Sequence, residues 1–464
     1  MLINISYSNK LVVFDFTLED ADRELLKNPV NINNRSCFFE LPFEIKEKIH
    51  PDVLAMAIIL MIFPFTKYNI KLPFSISKEF AEVFMNNFEI QIGPVDNSIL
   101  PRKVQNGRPG LSYSGGVDST AALALMPKNT AIIFLNRIIP SYKNSLYDKT
   151  AALNTLKDVS NTYQTYKVNT NMEYIRNPIG FPISNFGKRG DIPLSSAVPI
   201  VLLADKLNID SIAYGIVMES LYLVGHEKFD DFSQNKIFIN WKKLFNKIGI
   251  DLFFPTAGLS EVSTSKISNN FSISKYVRSC MRGKKDEPCK KCIKCFRKLT
   301  LDKALLKEGV NSKELMNNLQ NNEVVRNLYS NIKHENVYRY IVEQLKPNDF
   351  TLALGKRINI DNENTLWMER WYHKSINLVP IKYQKQYQEN LHNYINDMNT
   401  KDIYFVENWG RLYQRNSNIQ KLIEWQNYLL NNLENKRVNI HLNNLIEKQK
   451  NPEVIMFDEW KKSL

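Results

Sequence analysis

The chain has 464 residues, of which 44% are apolar and 23% charged, with a net charge of +13. Length and apolar share suggest two or three domains with real cores, and the positive excess makes an anionic partner plausible. The one long apolar run, Val53 to Phe65, has thirteen residues and includes Pro64; it is too short to span a bilayer and too far inward for a signal peptide, so no membrane partner and a reduced, cytoplasmic compartment are expected.

In chain order, Asn4 to Phe16 alternates as strands around a turn at Ser8-Asn9-Lys10, and Cys37 to Pro42 suggests another strand. Pro51 to Phe65 and Ser77 to Asn87 are predicted helices, the second capped by Ser77. Pro94 to Arg108, rich in Asn, Pro, Gly and charge, is the expected linker after an α+β N-terminal domain over residues 1–105.

Gly110 to Tyr113 then reads as the end of a strand, and Ala121 to Met126 as helix. Between them lies Ser114-Gly115-Gly116-Val117-Asp118-Ser119-Thr120. Two adjacent glycines let backbone approach a polyphosphate, and the helix N-terminus supplies partial positive charge. The hydroxyls of Ser114, Ser119 and Thr120 add donors, while Asp118 would repel phosphates unless it holds Mg²⁺ or caps the helix. An ordinary Gly-Gly turn ahead of a helix is the alternative.

Strands at Ala131 to Leu135, Tyr166 to Asn169, Ser211 to Ile216 and Asp251 to Pro255 alternate with helices at Tyr147 to Val159 and Pro193 to Asp205. This alternation predicts a parallel sheet that binds its ligand at the carboxyl ends of its strands. Glu219, His226, Glu227, Asp230 and Asp231 follow one such end. They are candidates to bind substrate or Mg²⁺, orient an amine or move protons, with an ordinary loop role as the alternative for His226.

Cys280, Cys289, Cys292 and Cys295 are spaced C-x8-C-x2-C-x2-C. C-x2-C pairs bring sulfurs within reach of one ion, and four thiolates make a structural Zn²⁺ site with no open position for catalysis. Disulfides are the alternative. From Tyr276 to Thr300 there are nine Lys or Arg against two acids; nearby cations lower thiol pKa values and offset a zinc tetrathiolate's charge. Cys37 stands apart and reads as a buried thiol.

From Leu299 onward the chain reads as helical, giving an expected C-terminal domain over 301–464. Trp367 to Lys374 mixes aromatics with cations, and Tyr383 to Tyr394 repeats Tyr and Gln at helical intervals. Such helices either bury their rings in a bundle or stack RNA bases on them.

The Ser114 to Ser119 run resembles the S-G-G-x-D-S signature of the PP-loop ATP pyrophosphatases, which split ATP into AMP and pyrophosphate to adenylate an acceptor. Together with the cysteine spacing, the expected central domain over 106–300 is similar, from about residue 108 to 300, to the 7-cyano-7-deazaguanine synthase branch. That resemblance implies a doubly wound, Rossmann-like sheet of the adenine-nucleotide α-hydrolase type with ATP, Mg²⁺ and Zn²⁺. ATP would contact Ser112, Ser114, Gly115, Gly116, Val117, Asp118, Ser119 and Thr120. Asp118 and Ser119 would act in catalysis, and Lys266 matches the family's lysine at a helix start, although a plain surface lysine fits it equally. Arg137, Lys188 and Arg189 are weaker cationic candidates. The synthase's Arg-Asn and Tyr-Pro-Asp-Cys-Arg substrate segments are replaced here by Gly190 to Pro193 and Phe229 to Gln234. The expected partner is therefore a carboxylate-bearing substrate left open in identity. A tRNA-modifying enzyme, an anti-phage protein with a protein acceptor, a relative of the peptidoglycan-precursor glutamate epimerases, and a non-enzymatic descendant are the other readings; a homodimer is possible.

Overall fold

A computed structural model describes residues 1–24, 36–44, 49–63, 65–138, 148–176, 193–226, 228–280, 282–283, 287–307, 315, 322–329, 332–358, 365–409 and 415–432. The chain is α/β and forms two compact units. One comprises residues 1–223, 230–288 and 368–407; the other comprises 224–229, 289–367 and the described residues from 408 onward.

The first unit is built on a ten-stranded, mostly parallel sheet in the order β10-β9-β6-β7-β8-β3-β2-β1-β4-β5. The strands are β1 (Leu2–Ser8), β2 (Leu11–Thr17), β3 (Ser36–Glu40), β4 (Asn69–Ser77), β5 (Gln91–Asp96), β6 (Arg108–Ser112), β7 (Ala131–Arg137), β8 (Thr165–Thr170), β9 (Ile209–Tyr214) and β10 (Asp251–Phe253). β1 and β2 form the expected hairpin, turning at Asn9 with φ 49°, a left-handed conformation that Asn tolerates. β6 to β10 are mutually parallel. β7 is apolar from Ala131 to Leu135, as a strand covered on both faces requires, and β9 is buried throughout, Asp210 and Ser211 included.

The apolar run becomes the helix Pro51–Ile62, in which every residue from Asp52 to Ile62 is buried. A helix apolar on all sides belongs inside a core. Its one charge is answered: the Asp52 carboxylate accepts from the Ser77 N–H at 2.8 Å and the Ser77 hydroxyl at 2.7 Å. Ser77 in turn caps the helix Lys78–Phe88 by accepting from the Phe80 N–H.

The contacts divide the chain differently from the expected boundaries at 105 and 300. β3 pairs antiparallel with β8, Phe39 opposite Thr170 and Glu40 opposite Asn169, so the N-terminal strands and the later parallel strands share one sheet. Residues 368–407 also belong to this unit. Trp371, Tyr383 and Tyr387 are buried in one cluster with Leu111, Leu123, Phe253 and Ile267. The Tyr383 hydroxyl donates to Asp210 at 2.8 Å and that of Tyr387 to the Pro255 carbonyl at 2.8 Å. These rings fill a core, as the bundle alternative anticipated, although the core is that of the sheet. The expected helix from Pro193 to Asp205 is shorter: a 3₁₀ turn at Leu194–Ala197 leads into Val198–Leu202. Pro199, with no N–H and a fixed φ, starts a helix rather than continuing one. The helix expected from Tyr147 is seen as Thr150–Val159, and Tyr147 itself lies outside the described residues.

The second unit is helical where described. Ile293–Leu306 packs on Glu335–Gln344, and Asp349–Arg357 on Arg415–Asn432. Phe296 meets Tyr338 and Phe350 edge-on or tilted at 6.2 and 5.9 Å. Among the described residues no helix is long and apolar enough to cross a membrane.

Candidate functional site

β6 ends at Ser112 and the helix Val117–Leu125 begins after Gly116. Gly115 has φ +75°, and a Cβ on it would stand 3.0 Å from the Ala152 Cα, so only glycine fits. Gly116 is the N-cap, with no side chain capping the helix; the first N–H groups of a helix lack intrahelical acceptors. The turn is braced from within. The Ser114 and Ser119 hydroxyls meet at 3.0 Å, Ser119 donates to the Gly116 carbonyl at 3.0 Å, and the Gly116 N–H donates to Ser114 Oγ at 3.3 Å. Thr120 and Tyr113 share a hydrogen bond of 2.9 Å, and burial pushes the Tyr113 phenol up to about 12. Ser112 donates to the Ser196 carbonyl at 3.2 Å. Ser114 is exposed and Gly116, Val117 and Asp118 are half-buried, whereas Ser119 and Thr120 are buried.

The strand order places this turn at a reversal. From β6 the chain goes to β7 and β8 on one side, then returns to β9 on the other side of β6. Such a reversal opens a crevice at the strands' carboxyl ends. Gly215, one residue past β9, presses on the turn: a Cβ there would lie 2.7 Å from the Asp118 carbonyl oxygen and 2.7 Å from the Ser119 Cα.

Asp118 accepts from the Thr264 hydroxyl at 2.8 Å. Thr264 lies on the helix Glu261–Phe271, which packs against Val117–Leu125 and is capped by Ser260. Both oxygens of the buried Glu219 accept from the Glu261 N–H, at 3.1 and 3.2 Å, a carboxylate set on a positive helix end. Lys266, on the same helix, pairs with Glu369 at 2.7 Å. Asp231 caps a 3₁₀ turn by accepting from the Ser233 N–H at 2.9 Å, and Asp230 is exposed. His226 belongs to the second unit, its ring 4.6 Å from that of His334. Thus Asp118, Glu219 and Lys266 meet at one helix of the first unit. Arg137 ends β7, and its carbonyl accepts from Lys149. Lys188, Arg189 and Glu227 lie outside the described residues. Sequence reasoning missed Gly215 and Thr264 as neighbours of Asp118, because only the tertiary fold brings them there.

The sulfurs of Cys280, Cys289, Cys292 and Cys295 all lie within 4.8 Å of one another, and no disulfide joins them. Cys289 and Cys295 are 3.7 Å apart; two sulfurs about 2.3 Å from a tetrahedral zinc stand about 3.8 Å apart. Cys292 caps the helix Ile293–Leu306, its sulfur accepting from the Cys295 N–H at 3.4 Å. The four residues make a set able to hold a metal such as zinc. Cys37 is buried on β3, where burial pushes its thiol far up.

A family model described as "Family of unknown function (DUF6395)" matches residues 240–410. No curated protein and no solved structure matches the chain. The matched span includes the helix carrying Thr264 and Lys266, all four clustered cysteines and the aromatic segment buried against the sheet.

Proposed function

We propose that the chain is an ATP-dependent adenylating enzyme of the PP-loop type, splitting ATP into AMP and pyrophosphate to activate a carboxylate. The observation that carries this reading is the glycine turn with an uncapped helix end at the sheet's reversal point. Backbone N–H groups there suit a polyphosphate, and preorganised dipoles need no rearrangement as charge develops. The order of β6 to β10 is also what a doubly wound nucleotide-binding sheet requires. ATP would lie along Ser114 to Asp118, with Asp118 as an Mg²⁺ contact oriented by Thr264. Ser119, Thr120 and Ser112 would hold the turn's shape, since their hydroxyls already bond within the protein. Lys266 would reach a phosphate only by leaving Glu369. The cysteine set would hold Zn²⁺ in a structural role.

The test is release of AMP and pyrophosphate from ATP and Mg²⁺ over a panel of carboxylates, 7-carboxy-7-deazaguanine with ammonia among them. One substrate should release pyrophosphate with the native chain and none with Asp118→Ala. Failure of ATP to bind or turn over under any of these conditions would refute the reading. Trp367, Trp371, Tyr372, Tyr383 and Tyr387, the rings considered for stacking RNA bases, are buried and Tyr394 partly so, which favours a small carboxylate over tRNA as the acceptor.

A further inference from the structure

A second helix meets the glycine turn and carries a cation at its start. Ala152, on Thr150–Val159, stands against Gly115: a Cβ built there would lie 3.0 Å from the Ala152 Cα. Lys149 is the N-cap of this helix, three residues and about 4.5 Å of rise before Ala152. Its Nζ donates to the carbonyl of Arg137, the last residue of β7. The amine therefore stands at the carboxyl edge of the sheet, where the turn also lies and where parallel sheets receive ligands.

A polar row crossing three strands holds this ammonium. Asn136 on β7 stands opposite Asn169 on β8, and Asn169 opposite Glu40 on β3. The Asn136 amide donates to Asn169 Oδ1 at 2.7 Å, and the Asn169 amide to Glu40 Oε2 at 2.6 Å. Lys149 Nζ completes the row, donating to Asn136 Oδ1 at 3.2 Å. Every donor points from Lys149 toward Glu40, an order in which hydrogen bonds strengthen one another.

Two of the three Lys149 N–H groups are thereby engaged. Among the described residues no carboxylate forms an ion pair with it. The carboxylate of the adjoining Asp148 accepts from the Thr150 N–H at 2.7 Å, and residues 139–147 contain no Asp or Glu. Burial and the charges of Arg137 and Lys167 lower the Lys149 pKa. Arg102 and Lys266, in the same unit, each face a carboxylate, Asp205 at 2.6 Å and Glu369 at 2.7 Å. A half-buried ammonium beside two other cations is costly until an anion joins it.

We infer that Lys149 is a ligand-binding residue of the glycine-turn site, its remaining N–H and its charge taking a phosphate group of the anion seated on the turn. Lysine binds phosphate as a point charge, so placement is what it needs, and the row from Asn136 to Glu40 supplies it. That the turn seats a phosphate rests on the reading proposed above; that Lys149 joins it is a separate claim.

The experiment measures calorimetrically the binding of Mg²⁺-tripolyphosphate to the full chain, without ATP or acceptor and at fixed ionic strength. The native chain should bind saturably and Lys149→Met about tenfold or more weakly. Lys157→Met, which removes an exposed charge from the same helix, should bind as the native chain does. Lys149→Gln keeps an N–H for Asn136 and serves if the Met chain does not fold. Counting protons separates ligation from a change of shape. An anion raises a lysine pKa, so binding at about pH 9 should draw protons onto the native chain, and both Lys149 variants should lose that uptake. If the native chain binds neither tripolyphosphate nor ATP, the phosphate seat is refuted and this inference with it. Binding by the native chain with undiminished affinity or proton uptake in either Lys149 variant would overturn the inference alone.

Discussion

Gly215→Ala tests whether the β9 end sets the position of the glycine turn at Ser114 to Ser119. Carbon atoms pack at about 3.5 Å or more, and the added methyl would sit 2.7 Å from the Asp118 carbonyl oxygen and the Ser119 Cα. These are backbone atoms, so a gap of roughly 0.8 Å must be opened by moving the start of the helix Val117–Leu125 away from β9. Overpacking of this kind costs about 1–3 kcal/mol, and a displacement near 1 Å at a reacting centre costs about 100-fold in rate. Urea unfolding of the ligand-free chain should show the stability loss. Pyrophosphate release, once a substrate is found, should fall by about two orders of magnitude. Gly116→Ala is the comparison: its methyl would meet Ser114 Oγ at 3.3 Å and the Arg278 carbonyl at 3.7 Å, so its stability cost should stay under about 1 kcal/mol, as for a modest cap change. Equal stability of Gly215→Ala and the native chain would refute the claim that this contact holds the turn.

Elemental analysis of the purified chain should find one zinc per molecule, lost with Cys292→Ser and kept with Cys37→Ala; thiolate ligation further requires that acid release the metal. Tyr113 gives a signed pH effect. Its folded pKa of about 12 lies above the ordinary value of 10.0, so the folded state holds its proton longer. That contribution is fully present below pH 10 and is lost as pH rises toward 12, by about 1.4 kcal/mol per unit at most. Urea unfolding at pH 9 to 11 should show a smaller alkaline loss in Tyr113→Phe than in the native chain. Glu219→Ala should cost about 1–3 kcal/mol in the same assay, since the buried Glu261 N–H loses both of its acceptors.

Local chemistry made several elements legible. Alternation about Ser8-Asn9-Lys10 yielded the hairpin, the run after Pro51 yielded the buried helix, and the cysteine spacing yielded the sulfur cluster. β4 and β5 were not legible, because Pro73 in one and Gly93-Pro94 in the other lie within the strands and are residues that ordinarily argue against one. The pairing of β3 with β8 could not be read either, since register across some 130 residues is set by tertiary packing and leaves no local period. The same holds for Trp371 and Tyr387: their helical spacing indicated burial but not against which core. At the site, the turn announced itself through Gly115, Gly116 and Asp118. Gly215 did not, because its significance lies in what stands beside it.

The late arrival of residues 371–395 in the core has a consequence for biosynthesis. Leu123, Phe253 and Ile267 share a cluster with Trp371, Tyr387 and Ile395, and 128 residues separate Ile267 from Ile395. At about 5–20 residues per second of translation, that apolar face waits roughly 6 to 26 s for its cover. Throughout that interval the nascent chain presents a sticky surface at the ribosome exit. A fragment ending at residue 300 would present it permanently and should aggregate or recruit chaperones, even though it contains every residue of the glycine turn.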